Sequence, residues 1–94
     1  MNRNEMIAIY KYPLQMRDEQ VIEIPSGAKI LCVQVQHGTP CIWALVNKDE
    51  ILSRVKVWVI GTGHDFPDEC FDAHYLGTVQ WEGGSLVFHV WYKQ

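Results

Sequence analysis

No run in this sequence approaches the roughly 18 apolar residues of a membrane-spanning helix, and the opening stretch MNRNEMIAIYKYPLQ lacks the apolar core of a signal peptide. The chain is therefore expected to be soluble and intracellular. Lysine and arginine total 8 against 11 acidic residues, and no basic cluster is tighter than the scattered Lys48, Arg54 and Lys56. That balance excludes the electrostatic footprint of a general nucleic-acid binder, while leaving a single bound nucleotide open. A formal net charge of -3, with carboxylates interleaved among basic residues, is also too weak for a mimic of nucleic acid. Cysteine is scarce, and Cys32, Cys41 and Cys70 form an odd set without C-x-x-C spacing. Such a set suits reduced thiols rather than a disulfide framework. Cys32 and Cys41 flank a turn and are placed to face one another across a hairpin, but an intracellular setting argues against a bridge. Finally, no window of about 12 residues sustains an apolar 3.6-residue period, which excludes a helical bundle.

What remains is strand chemistry. Hydrophobic residues make up 48% and charged residues 20% of the 94-residue chain, the balance of a packed domain. One core fits this length, so residues 1–94 are read as a single β domain. MIAIYKYP (6–13) and EQVIEIP (19–25) are strands closed by Pro13 and Pro25. KILCVQVQ (29–36) follows a PSGA turn, with Leu31, Val33 and Val35 expected inside and Ile30, Cys32, Gln34 and Gln36 outside. CIWALVN (41–47) is nearly all apolar, as expected of a central strand covered on both faces. RVKVWVIG (54–61) alternates, sending Val55, Val57 and Val59 inward and leaving Trp58 and Ile60 on the exposed side. HYLGTVQW (74–81) and SLVFHVWY (85–92) close a final hairpin. About seven strands with short connections predict an all-β fold, a compact antiparallel β-sandwich or a small barrel.

The longest irregular stretch, GTGHDFPDECFDAH (61–74), holds most of the candidate chemistry. Gly61 and Gly63 around Thr62 allow backbone N–H groups to form an anion-holding nest, with His64 beside it. The same residues also make an ordinary strand-ending turn, and neither a third glycine nor a Gly-Lys-Ser/Thr ending is present. His64, Asp65, Asp68, Glu69, Cys70, Asp72 and His74 are all metal-ligating types, but only Cys70 and His74 approach the short spacing zinc sites use. A solvated acidic loop packed by Phe66, Pro67 and Phe71 is the expectation, with no metal and no cofactor. Of the remaining histidines, His89 lies mid-strand and is expected to be a hydrogen-bonded structural imidazole. The tryptophans and tyrosines exceed what a domain of this size fully buries, so some are expected at an interface or a stacking site.

Taken together, IYKYPL, IEIPSGAKILCVQVQHGTPCIWALV, GTGHDFPD and LGTVQWEGGSLVFHVW resemble a family of short uncharacterised proteins found mostly in tailed-phage and prophage genomes and classed as a domain of unknown function. The resemblance implies a phage-like setting and expression in the bacterial cytoplasm, and it brings no catalytic residues. Residues and resemblance together lead to a non-enzymatic binding protein, expected as a homo-oligomer. Its expected role is that of a stoichiometric counter-defence inhibitor that covers a host protein surface or sequesters a nucleotide signal. Gly61, Thr62, Gly63 and His64, with Trp58 or Trp81, are the expected working surface. Two rivals are a virion or assembly accessory protein and a minimal hydrolase using His64 with Cys70 or Asp65.

Overall fold

The computed structural model describes residues 6–94. Its strands are β1 (Ile7–Pro13), β2 (Glu19–Pro25), β3 (Lys29–Gln36), β4 (Thr39–Asn47), β5 (Leu52–Gly61), β6 (His74–Trp81) and β7 (Leu86–Lys93), with 3-10 turns at Asp68–Asp72 and Glu82–Gly84. They form two antiparallel sheets, a three-stranded one in the order β1-β4-β3 and a four-stranded one in the order β2-β5-β7-β6. The fold is thus the all-β sandwich that the strand pattern predicts.

Alternation builds the core. Val55, Val57 and Val59 of β5 face Ile42, Ala44 and Val46 of β4 in one buried cluster that also takes in Ile24, Val79 and Val90. The β3–β4 and β6–β7 hairpins differ in turn length. Between β3 and β4, His37 and Gly38 both have positive φ, the signature of a two-residue turn matched to strand twist. Between β6 and β7 four residues, Glu82–Ser85, separate the paired Trp81 and Leu86, and Glu82, Gly83 and Gly84 all have positive φ.

Two sequence expectations are corrected. In β3, Ile30 and Val33 are buried while Leu31 is exposed, because a bulge between Ile30 and Cys32 shifts the alternation by one residue. Val35 shares the face of Val33 but is exposed beside the hairpin turn. In β4 only one face is fully covered: Ile42, Ala44 and Val46 are buried while Leu45 is exposed. Among the described residues, the three-stranded sheet has a second layer on its inner side only. The cysteines are all free thiols, and the register sets Cys41 opposite Gln34 and Cys32 opposite Trp43, so the two are not cross-strand partners.

The sheets approach closely where β3 lies over β6. A Cβ built on Gly77 would stand 3.0 Å from Cγ1 of Val33, tighter than an ordinary packing contact. Gly77→Ala is expected to destabilise the domain by about 1–2 kcal/mol through overpacking. Combined with Val33→Ala, it should cost less than the sum of the two single losses, measured by denaturant unfolding.

Candidate functional site

The outer face of the four-stranded sheet is laid out in rows by strand register. Trp58, Trp91 and Tyr75 lie side by side on β5, β7 and β6, and Ile60, His89 and Thr78 form the next row. An indole and an isoleucine on a face without a second sheet would expose a large apolar area. The chain instead folds residues 62–73 back over the β5 half of that face. Cys70, inside the 3-10 turn Asp68–Asp72, packs with Trp58 and Ile60 in a small second core, joined by Phe66, Ala73 and Trp91. Trp58 is consequently only 1% exposed, which overturns its expected place on the surface. Its indole N–H has no acceptor among the described residues, a desolvation cost of roughly 1–3 kcal/mol set against the burial of the ring.

Ion pairs pin the flap at its rim. Lys56 Nζ lies 2.6 Å from Glu69 Oε2 and 3.5 Å from Glu19 Oε2, and Lys93 Nζ lies 2.6 Å from Asp72 Oδ2. The Glu69 hydrogen bond raises the Lys56 ammonium above its ordinary pKa, and the Lys93 hydrogen bond holds the Asp72 carboxyl below the usual range. These pairs are exposed, so they orient the flap more than they stabilise it. A groove of about 640 Å³ runs along this flank, but its charged lining, including Lys56, Glu69, Asp72 and Lys93, is largely committed to those pairs.

Coverage stops halfway across the sheet, and the uncovered half is a cleft of about 510 Å³, within the size range of ligand sites. Gly61, Thr62, Gly63 and His64 line it together, as their adjacency in sequence predicts, and so do Phe66, Tyr75, His89 and Trp91. The turn closes with the His64 N–H donating to the Gly61 carbonyl at 3.0 Å, and the Thr62 N–H donates to the Val87 carbonyl at 3.3 Å. Two of the N–H groups of the expected nest are therefore already engaged. Gly63 has φ +85°, a left-handed conformation that favours glycine, whereas Gly61 is required by proximity. A Cβ on Gly61 would stand 2.9 Å from Nδ1 and Cε1 of His64, so only glycine lets that imidazole fold back against the strand.

Polar groups along the cleft are linked. His89 Nε2 is 2.7 Å from Thr62 Oγ1 and its Nδ1 is 2.9 Å from Thr78 Oγ1, which in turn bonds the Tyr75 hydroxyl. His89 is thus the hydrogen-bonded imidazole its mid-strand position predicts, and it also lines the cleft. Aromatic rings continue the wall: Phe71 meets Phe66 at 5.1 Å, Phe66 meets Trp91 at 5.1 Å, and Trp91 meets Tyr75 at 5.3 Å between centroids. Among the expected site residues, Trp58 lies beneath the flap, outside the cleft lining. Trp81 lies on the other face of the sheet, edge-on to Phe88 at 5.9 Å. Tyr75, His89 and Trp91 take their place, and alternation in β7 carries the signal, since His89 and Trp91 share the face opposite Phe88, Val90 and Tyr92.

The acidic residues of the flap point to separate partners. Glu69 reaches Lys56, Asp72 reaches Lys93, and the His74 ring lies 5.3 Å from that of Tyr92. Among the described residues no three His, Cys, Asp or Glu side chains gather as a metal site would require. Burial pushes the Cys70 thiol above its ordinary pKa, reinforced by the Glu69 carboxylate, the reverse of what a nucleophilic thiolate needs. In the folded protein at pH 8, Cys32 is expected to alkylate first. Cys70 should react at least tenfold more slowly until the domain is unfolded, as read by mass spectrometry of labelled peptides.

Comparison with known proteins gives a family without a function. No curated protein and no solved structure matches the chain. Residues 6–94 match the domain of unknown function DUF7352, and the chain belongs to that family.

Proposed function

We propose that the chain works by binding, with the half-covered outer face of the four-stranded sheet as its recognition surface for a partner protein. The observation that carries this reading is the cleft lining. Tyr75, 53% exposed, and the half-buried Phe66 and Trp91 surround Thr62, His64 and His89, and among the described residues no lysine, arginine, aspartate or glutamate takes part. Aromatic side chains of this kind anchor protein interfaces, because they bury much area at little entropic cost. A planar or aromatic side chain of the partner fits between Tyr75, Trp91 and His64, with the hydroxyl of Thr62 or Tyr75 meeting a polar edge.

The rival ligand, a nucleotide signal, finds less support. Its phosphates are best held by lysine, arginine or free N–H groups, the cleft lining holds no lysine or arginine, and the turn spends the N–H groups of Thr62 and His64 internally. Catalysis finds little support as well, since Cys70 lies under the flap rather than in the cleft. In the phage-like setting that the family resemblance implies, a small stoichiometric binder in the bacterial cytoplasm fits an inhibitor of a host defence protein. The area the cleft offers fits an anchoring pocket within a larger contact.

Native mass spectrometry of the protein from a bacterial host, followed by affinity capture with wild type and Tyr75→Ala, tests the reading. Tyr75→Ala is expected to weaken a captured partner at least tenfold, about 1.4 kcal/mol, while the unfolding midpoint hardly moves. Gly61→Ala, which displaces the His64 ring without removing it, should weaken the same partner. A small-molecule adduct that disappears on denaturation, or capture indifferent to both substitutions, would overturn the proposal.

A further inference from the structure

Three hydrogen bonds beside the cleft join end to end. Thr62 Oγ1 lies 2.7 Å from His89 Nε2, His89 Nδ1 lies 2.9 Å from Thr78 Oγ1, and Thr78 Oγ1 bonds the Tyr75 hydroxyl. Thr62, His89 and Tyr75 line the cleft, whereas Thr78 does not. The chain of bonds thus starts in the cleft, passes outside its lining at Thr78, and returns to it at Tyr75.

Counting protons shows what such a chain permits. Each hydroxyl has one proton to donate, and a neutral imidazole has one N–H and one bare nitrogen. Four protons serve three bonds, so one is spare. With the ring proton on Nε2, His89 donates to Thr62, Thr78 must donate to Nδ1, and Tyr75 must donate to Thr78. The spare proton is then on Thr62, and Tyr75 offers only lone pairs. With the ring proton on Nδ1, Thr62 must donate to Nε2 and offers only lone pairs to the cleft, while the spare proton lies on Thr78 or Tyr75. In neither tautomer do Thr62 and Tyr75 both donate into the cleft.

We propose that neutral His89, through Thr78, keeps the two hydroxyl ends of the cleft from donating together, so that the cleft selects a partner's carboxamide, an asparagine or glutamine side chain, over a carboxylate. This rests on the cleft reading and adds the chemistry of the partner. A carboxamide brings a donor and an acceptor, the complement of one accepting and one donating hydroxyl. A carboxylate brings acceptors only, so it meets lone pairs at one end. A cationic group finds no carboxylate in the lining, among the described residues, to offset its desolvation. Thr78 touches no partner in this arrangement and acts as a positioning residue.

Benzamide, benzoate and benzamidinium share a planar ring and differ in the group it carries, which makes them probes of this polarity. Each is titrated to about 20 mM and followed by the NMR shifts of Thr62, Tyr75 and His89, at a pH where the His89 nitrogen shifts show a neutral ring. Wild type is expected to bind benzamide at least about fivefold more tightly than benzoate, the low end of what an unpaired polar group costs. Thr78→Val interrupts the chain outside the cleft lining and frees Tyr75 to donate alongside Thr62. Benzoate is then expected to bind about fivefold more tightly than it does to wild type, with benzamide little changed. The substitution alters no charge, so that gain has no other electrostatic source. Thr78→Ser keeps the hydroxyl and should keep the wild-type preference. Thr78 is exposed on an edge strand, and circular dichroism with an unfolding midpoint checks that both variants fold. Equal binding of benzamide and benzoate by wild type, benzamidinium binding as tightly as benzamide, or no gain for benzoate in Thr78→Val would overturn the proposal and leave the cleft reading standing. Silence of all three residues toward every probe would overturn the cleft reading and this one with it.

Discussion

Burial of Trp58 is the constraint on which the working half of this molecule depends. A sandwich of this size provides one two-layer core, and β5, central to its sheet, spends its inward face there as Val55, Val57 and Val59. Its outward face carries Trp58 and Ile60, and a tryptophan ring removes roughly 150–250 Å² from water when buried. Nothing in the opposing sheet can reach it. Residues 62–73 therefore supply a third, partial layer, in which Cys70, Phe66 and Ala73 seal the indole while Lys56 and Lys93 hold the rim. The acidic character of the flap follows from that arrangement: two of its carboxylates meet the lysines that alternation places beside Trp58 and Trp91.

The cleft is the remainder of the same act. The flap covers Trp58 and Ile60 on β5 and reaches Trp91 and Lys93 on β7 but stops there, so His89, Thr78, Tyr75 and part of Trp91 stay accessible beside the turn that begins the flap. Their mutual hydrogen bonds leave no orphaned imidazole nitrogen on His89, and the Tyr75 and Trp91 rings pack against each other at a tilt, so each side chain is held by its neighbours. Rigidity of this kind lowers the entropic cost of recognition, since little must be ordered when a partner arrives.

Strand existence and the sandwich class were legible because period-two patterning persists through nearly every segment, and prolines and glycines mark the turns. Faces were legible where alternation is unbroken, as in β5, and illegible where a bulge interrupts it, as between Ile30 and Cys32. Gly61, Thr62, Gly63 and His64 were legible as a local group because adjacency alone brings them together. Tyr75, His89 and Trp91 join them through the β5-β7-β6 pairing, a long-range register that no local pattern encodes. Trp58 shows the limit most clearly: its outward position was read correctly, while its burial depends on a loop whose path follows from tertiary contacts. The reading of residues 1–5 as free of a signal sequence lies outside the described residues.

The order of the strands carries one more implication. β2 pairs with β5, β1 with β4, and β5 with β7, so that the chain changes sheets after β1, β2 and β4. Only the β3–β4 and β6–β7 hairpins are local. Contacts so distant in sequence make loop closure costly before packing repays it, which places folding on the slow, millisecond-to-second side for a domain of this size. The flap has no surface to close on until β5 and β7 are side by side. Its docking is therefore the last event of folding and the first to reverse, and in hydrogen exchange it belongs to the least protected unit of the domain.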